Sequence, residues 1–207
     1  RHAGHVIALE LDDRMEPILQ DRLGAYDNVQ LLFADVLQTD IATMMGDKEY
    51  VVVANVPYYI TSAILRHLLE ASNRPRRLVM TVQLEVAERI VAKPGDMSLL
   101  AVSVQFYTRP KIVMRLNPAV FYPRPDVTSA VIRLDAHPTL PVQVPDESSF
   151  FAVVRAGFSQ KRKQLKNTLA AGLRLSNEGA VALLERAGID PRGRAETLSL
   201  DEWAAVT

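Results

Sequence analysis

Cysteine is absent from the 207 residues, which excludes disulfides and thiolate metal sites and is compatible with a reducing compartment. Histidine is scarce as well: His2, His5, His67 and His137 are scattered without ligand-like spacing, so no metal chemistry is expected. No apolar run approaches the roughly 18 residues needed to span a bilayer, and the amino terminus has no signal-peptide pattern. A cytoplasmic protein without a membrane partner is expected. Net charge is also missing, with 24 basic and 24 acidic side chains, and none of the nine glycines forms a cluster. The first residue is Arg1, and Val6 already opens a strand-like run, so the chain is expected to start inside a domain.

What is present is ordinary globular material, 48% hydrophobic and 23% charged, enough for a real core. "HVIALELD", "NVQLLFAD", "EYVVVAN" and "RRLVMTVQ" read as strands. "MEPILQDRL", "TSAILRHLLEA" and "LEVAERIVA" alternate with them as helices. Within "TSAILRHLLEA", Thr61 or Ser62 is a plausible cap, and Ile64, Leu65, Leu68 and Leu69 share one face. Such alternation implies a mostly parallel α/β sheet. The near-continuous apolar run at Val51–Asn55 suggests a strand covered on both faces. Later, "KIVMRL" alternates, and Val127 to Leu134 reads as another strand. A proline-rich linker over 137–146 then leads into residues 147–207, which carry three or four short helical patterns with Gly172, Gly188 and Gly193 as breaks. The expected organisation is an α/β domain over 1–136, the linker, and a small all-helical domain over 147–207.

Glu10, Asp35 and Asn55 each stand at a strand's carboxyl end, where ligands of such sheets gather, in strands that could lie close together. A carboxylate at Glu10 could hold a ribose diol; an acidic loop residue is the plainer alternative. Asp35 could accept from an adenine amino group, with the following amides, Val36 first, meeting the ring nitrogens. The stretch Asn55-Val56-Pro57-Tyr58 is more specific. An exocyclic adenine amine is a poor nucleophile because its lone pair is delocalised into the ring. A catalyst must accept its hydrogens and favour a tetrahedral nitrogen. Asn55 offers an amide oxygen, Val56 a carbonyl, Pro57 stiffens the turn, and Tyr58 offers a face for an extruded base. A capped strand-to-helix turn with a core aromatic is the alternative. Phe121, in a proline-flanked loop, could form a second wall or simply anchor that loop. The roles of Tyr59 and Tyr122 cannot be separated from packing.

From Arg155 to Arg174 there are basic residues and no acid. Within that stretch "FSQKRKQLKNTL" joins a basic run to helical spacing, with Phe158, Leu165 and Leu169 available for packing. Lys161, Arg162, Lys163 and Lys166 are either phosphate contacts or a solvated face. Arg74, Arg76 and Arg77 form a smaller basic group.

Together, "ALELD", "FADVL", "NVPYYITSAIL", "VQLEVAERIVAKPG", "FYPRPDVTSAVIRL", "RAGFSQKRKQLKNTL" and "AGIDPRGRAETLSLDEW" resemble, in order, segments of the small-subunit (16S-type) ribosomal RNA adenine dimethyltransferases of the kasugamycin-sensitivity type. The resemblance implies a Rossmann-like class I methyltransferase sheet, truncated at its amino terminus, and a small helical carboxy-terminal domain. It implies S-adenosylmethionine as methyl donor, without a metal, and a monomer acting on small-subunit ribosomal RNA in the pre-30S particle. Carried over, Glu10 is the ribose-binding acid, and Asp35 with Val36 meets the donor's adenine. Asn55 through Tyr58 form the catalytic loop, with Asn55 also beside the donor, and Phe121 sandwiches the base. The implied reaction is N6,N6-dimethylation of two adjacent adenosines near the RNA 3′ end. Two departures stand out: the family's glycine-rich donor loop is absent, and Leu84 replaces the basic residue that follows the Gln of "VQ". A non-catalytic small-subunit assembly factor remains a rival reading. So does a large-subunit methyltransferase of the macrolide-resistance type, although the carboxy-terminal segment favours the small-subunit family.

Overall fold

The computed structural model describes residues 3–207; His2, one of the four histidines weighed above, lies outside them. Two compact units make up the chain. The first runs to Lys48 and takes up Ala63–Arg74, and the second comprises Glu49–Ser62 and Pro75–Thr207.

The first unit is built on two parallel strands, β1 (Val6–Glu10) and β2 (Val29–Phe33), paired in register from Val6↔Val29 to Glu10↔Phe33. Helix α1 (Glu16–Leu23) joins them, as a parallel pair requires a crossover. A short helix α2 (Ile41–Met45) follows, capped by Asp40, whose carboxylate accepts from Thr43 N at 3.0 Å. Helix α3 (Thr61–Leu69) begins at the edge of the second unit and runs into the first. Its apolar stripe Ile64, Leu65, Leu68 and Leu69 is buried, as the 3.6-residue spacing predicts. His67 of the same helix brings Nε2 to 2.9 Å from Thr39 O, in the segment before α2. Thr61 is the first helical residue rather than the residue before the helix, and its buried hydroxyl has no hydrogen-bond partner.

In the second unit β3 (Val51–Asn55) pairs in parallel with β4 (Arg77–Gln83). After α4 (Leu84–Ile90) and α5 (Leu99–Tyr107), β5 (Thr108–Leu116) and β6 (Ser129–Ala136) close a sheet of order β3-β4-β6-β5. The β4/β6 and β5/β6 pairs are antiparallel, so the expectation of a mostly parallel sheet holds only for the first four strands. The cause is the link between β5 and β6, whose helical content is a single 3₁₀ turn at Pro118–Val120 and not a crossover helix. The expectation for Val51–Asn55 is also corrected. Among the described residues β3 pairs only with β4, and it exposes Val53 at 80% and Val51 at 49% on one face. The opposite face of the sheet is the core, with Leu78, Met80, Val82, Ala130, Ile132 and Leu134 at 1% exposure or less.

Four helices end the chain: α6 (Glu147–Gly157), α7 (Leu165–Leu173), α8 (Asn177–Arg186) and α9 (Leu200–Val206). Asp146 caps α6, and Ser199 with Glu202 forms a capping box on α9. Phe106 of α5 stacks on Phe150 of α6 at 4.6 Å and meets Phe151 edge-on at 5.2 Å, which ties these helices to the sheet of the same unit. Gly188, at φ 74°, ends α8 as the break pattern predicts. Gly172 is no break. It lies inside α7, where a Cβ would stand 2.4 Å from that of Ala156, so glycine permits α6 and α7 to approach closely. Leu165 and Leu169 are fully buried, and Phe158 packs its ring 5.5 Å from that of Trp203. The basic run itself is not helical: Lys161, Arg162 and Lys163 lie in the exposed turn before α7.

Candidate active site

Glu10 and Asp35 are brought to one edge by the β1/β2 ladder. Ala34 N donates to Glu10 O at 2.9 Å, which sets the two chain ends side by side. Beyond β1 the chain turns, and Glu10 Oε1 accepts from the amides of Leu11 at 2.8 Å and Asp12 at 2.9 Å. That leaves Oε2 without a partner among the described residues, free for a diol. Asp35 behaves similarly: Oδ1 accepts from Leu37 N at 2.9 Å, while Thr39 Oγ1 donates to its carbonyl at 2.8 Å. The Val36 amide between them takes no hydrogen-bond partner among the described residues. Two acids with open oxygens and a free amide on one strand edge fit a ribose and an aminopurine.

Asn55, Val56, Pro57 and Tyr58 lie in the second unit. Asn55 is the last residue of β3, in register with Thr81 of β4, and its side chain is exposed. Neither its amide oxygen nor the Val56 carbonyl is engaged among the described residues. Pro57, at φ −56° and ψ 135°, leads directly into a 3₁₀ turn at Tyr58–Ile60, whose last amide donates to Pro57 O at 3.2 Å. Tyr58 is half-buried, and its hydroxyl hydrogen-bonds the hydroxyl of Ser129, the fully buried first residue of β6. Nothing in the sequence marks Ser129, a small polar residue within the strand-like run that starts at Val127. It pins the aromatic ring to the sheet while leaving the turn's two acceptors free.

Phe121 follows the 3₁₀ turn at Pro118–Val120 and is half-buried, with its amide donating to Pro118 O at 3.2 Å. Asn117 fixes this turn by accepting from Ala119 N at 2.9 Å. Tyr59 and Tyr122 are exposed, so neither is a core residue. Leu84, the departure noted above, opens α4 and donates its amide to Thr128 O at 2.9 Å.

Lys161, Arg162 and Lys163 project from the turn between α6 and α7, and half-buried Lys166 lies in the first turn of α7. The amides of Leu165 and Lys166 are already taken by Gly193 O at 2.8 Å and Pro191 O at 3.2 Å. Any anion held here would therefore meet side chains rather than the helix end. No group of His, Asp or Glu that could hold a metal ion occurs among the described residues, and none of their helices is long and apolar enough to cross a membrane.

Parallel strand pairs with an acid at or just beyond a carboxyl end, and a proline-stiffened Asn-Val-Pro-Tyr turn after β3, are features of a Rossmann-like class I methyltransferase. The chain belongs to the ribosomal RNA adenine dimethylase family, whose profile matches residues 2–207. It is accordingly an enzyme, an adenine methyltransferase of ribosomal RNA. A relative from Dehalococcoides mccartyi, ribosomal RNA small subunit methyltransferase A, is 46% identical over 98% of this chain and 70% of its own. The protein of that name from Geobacillus thermodenitrificans is 43% identical over 100% of this chain and 74% of its own. Among solved structures, a dimethyladenosine transferase from Plasmodium falciparum superposes with a TM-score of 0.76 at 22% identity, covering 98% of this chain and 80% of that one. The 23S ribosomal RNA methyltransferase ErmE gives 0.73 at 24% identity, covering 99% and 81%. At these identities the structural likeness speaks for the fold.

Proposed function

We propose that this chain transfers methyl groups from S-adenosylmethionine to N6 of two adjacent adenosines near the 3′ end of small-subunit ribosomal RNA, twice on each, within the pre-30S particle. The observation that carries this reading is the turn after β3, where two unengaged acceptors, Asn55 Oδ1 and Val56 O, stand beside an anchored tyrosine ring. The donor, when bound, supplies an electrophilic methyl on a sulfonium. Glu10 would hold its ribose and Asp35 with Val36 its adenine, through the atoms left open on the β1/β2 edge. Asn55 and Val56 accept the N6 hydrogens, which draws the nitrogen lone pair out of conjugation and aims it at the methyl. Tyr58 and Phe121 hold the extruded base. Each transfer replaces one N–H by N–CH₃ and releases one proton, for which exposed Asn55 gives a route to water. After the first methylation a single N–H remains, so one acceptor suffices for the second.

In this reading the helical segment 147–207, beyond the linker 137–146, is the RNA-holding domain, with Lys161, Arg162, Lys163 and Lys166 on phosphates. The protein works as a cytoplasmic monomer. Incubation with methyl-labelled S-adenosylmethionine and unmethylated small-subunit particles, followed by nucleoside analysis, tests the proposal. N6,N6-dimethyladenosine at two neighbouring positions near the 3′ end is the expected product. Label confined to other positions of the RNA, or no label, would overturn it.

A further inference from the structure

At the amino end of β4, away from the Asn55 turn, the second unit carries a groove of about 340 Å³ lined by Arg76, Arg77, Arg109, Asp135, Ala136 and Pro138. Its floor is a row across three strands, because Arg77 of β4 and Arg109 of β5 both face Asp135 of β6 in register. Arg77 hydrogen-bonds the Asp135 carboxylate. Arg133, two residues before it on β6, brings Nε to 2.8 Å from Oδ2 without the alignment of a hydrogen bond. One carboxylate thus answers two guanidinium groups and leaves Arg76 and Arg109, both exposed, with no acidic partner among the described residues. The Arg76 backbone is fixed on both sides: its amide donates to Tyr50 O and its carbonyl accepts from Ala136 N, each at 3.0 Å. The unpaired charge therefore sits on rigid backbone and not on a loose tail.

We infer that this arginine groove is a second phosphate-binding surface, holding the backbone of the substrate RNA away from the target adenosine. The inference rests on the RNA-methylating function proposed above. Arg77 and Val51 face each other in the β3/β4 register, four residues before Asn55 and Thr81. At ~3.3 Å per residue the groove lies roughly 13 Å along the strands from the catalytic turn. A phosphate held there belongs to RNA flanking the extruded nucleotide. Guanidinium groups suit this occupant, since their forked donors match phosphate oxygens. An excess of cations over acids in an open groove favours a polyanion.

The test replaces the two unpaired cations and keeps the pair that holds Asp135. Salt titrations of binding to a small-subunit RNA fragment are run on the unmodified chain, on Arg76→Gln/Arg109→Gln, and on Arg22→Gln/Lys48→Gln, which removes the same charge from the other unit. Circular dichroism checks folding. The groove variant should flatten the slope of log affinity against log salt by about 1.4–1.8, or 0.7–0.9 per lost contact. The control variant should keep its slope. An unaltered slope in the folded groove variant, or an equal loss in the control, overturns the inference while leaving the proposed function standing. A defect seen with assembled particles but not with naked RNA overturns it in favour of a protein partner. An unmodified chain that fails to bind the RNA overturns both.

Discussion

Asn55 is exposed, unpaired among the described residues, and stands where β3 gives way to a proline-fixed turn. The chemical role proposed for it predicts that removing its amide costs little stability, within about 0.5 kcal/mol. Asn55→Ala should lower the rate of methyl transfer by about 10²–10³-fold, the usual loss when one preorganised polar contact to a transition state is deleted. Donor affinity should change far less if, as proposed, the donor is held by Glu10 at the end of β1 and by Asp35 two residues beyond β2. Single-turnover methylation beside donor titration separates the two quantities, and an unchanged chemical step would remove Asn55 from catalysis. The neighbouring Tyr58 could be recognised in the sequence as an aromatic at a strand-to-helix turn. Its partner Ser129 could not, since the two are 71 residues apart and only the sheet brings them together.

Among the elements, α1, α3 and α4 are legible from spacing, whereas α2 and α5 are not, and no helix announces its contacts. Helix α3 buries the four apolar residues that periodicity selects. Gly172 reads as a helix break but serves a helix crossing, because sequence records a missing side chain and not the neighbour that requires it to be missing. Gly157 of α6 is a second such position: a Cβ would fall 2.3 Å from Cη2 of Trp203, which is fully buried. Gly157→Ala should destabilise by about 1–3 kcal/mol through overpacking, lowering Tm by about 2–4 °C for each kcal/mol. A Tm equal to that of the parent would show that the tryptophan has room to move.

The sheet row Arg77–Asp135 with Arg133 makes a pH prediction. Partial burial works against the Asp135 charge, but the Arg77 hydrogen bond and the Arg133 guanidinium outweigh it and hold the carboxyl below its ordinary value. A carboxyl depressed in the folded state contributes stability that is complete above the unfolded value of about 3.9 and is lost as pH falls through the folded value. Because Asp135 remains 34% exposed, the contribution is modest. Urea midpoints should place Asp135→Asn below the parent at neutral pH, with the two converging in acid. A gap that persists at low pH would mean that the residue acts through packing.

Across the whole molecule, neutral net charge conceals a local excess. Arg155 to Arg174 holds no acid, and Lys161, Arg162 and Lys163 form its exposed crest. If they and Lys166 meet phosphate, replacing all four by glutamine should weaken binding to small-subunit RNA and cut the salt slope by up to about 3. Donor affinity should stay as it was, the β1/β2 edge lying in the other unit. A solvated face instead predicts the same slope and at most a small loss of stability, so salt titration of the folded variant decides between them.

The sequence by itself determined many of the elements and the family to which the chain belongs. Period-two and 3.6-residue patterns are local, and so are the strand-terminal acids and the Asn-Val-Pro-Tyr turn, whose constraints act between adjacent residues. Only the tertiary structure decided which strands pair and in what direction. It turned β5 and β6 antiparallel and left one face of β3 open. It also divided the predicted site residues, with Glu10 ending one ladder, Asp35 just beyond its second strand, and Asn55 ending a strand of another. Nor could the chain order announce the arginine groove, whose members Arg76, Arg109 and Asp135 come from distant segments. The physical reason is common to all of these: pairing and burial are relations between residues far apart in sequence, and no single segment encodes its partner.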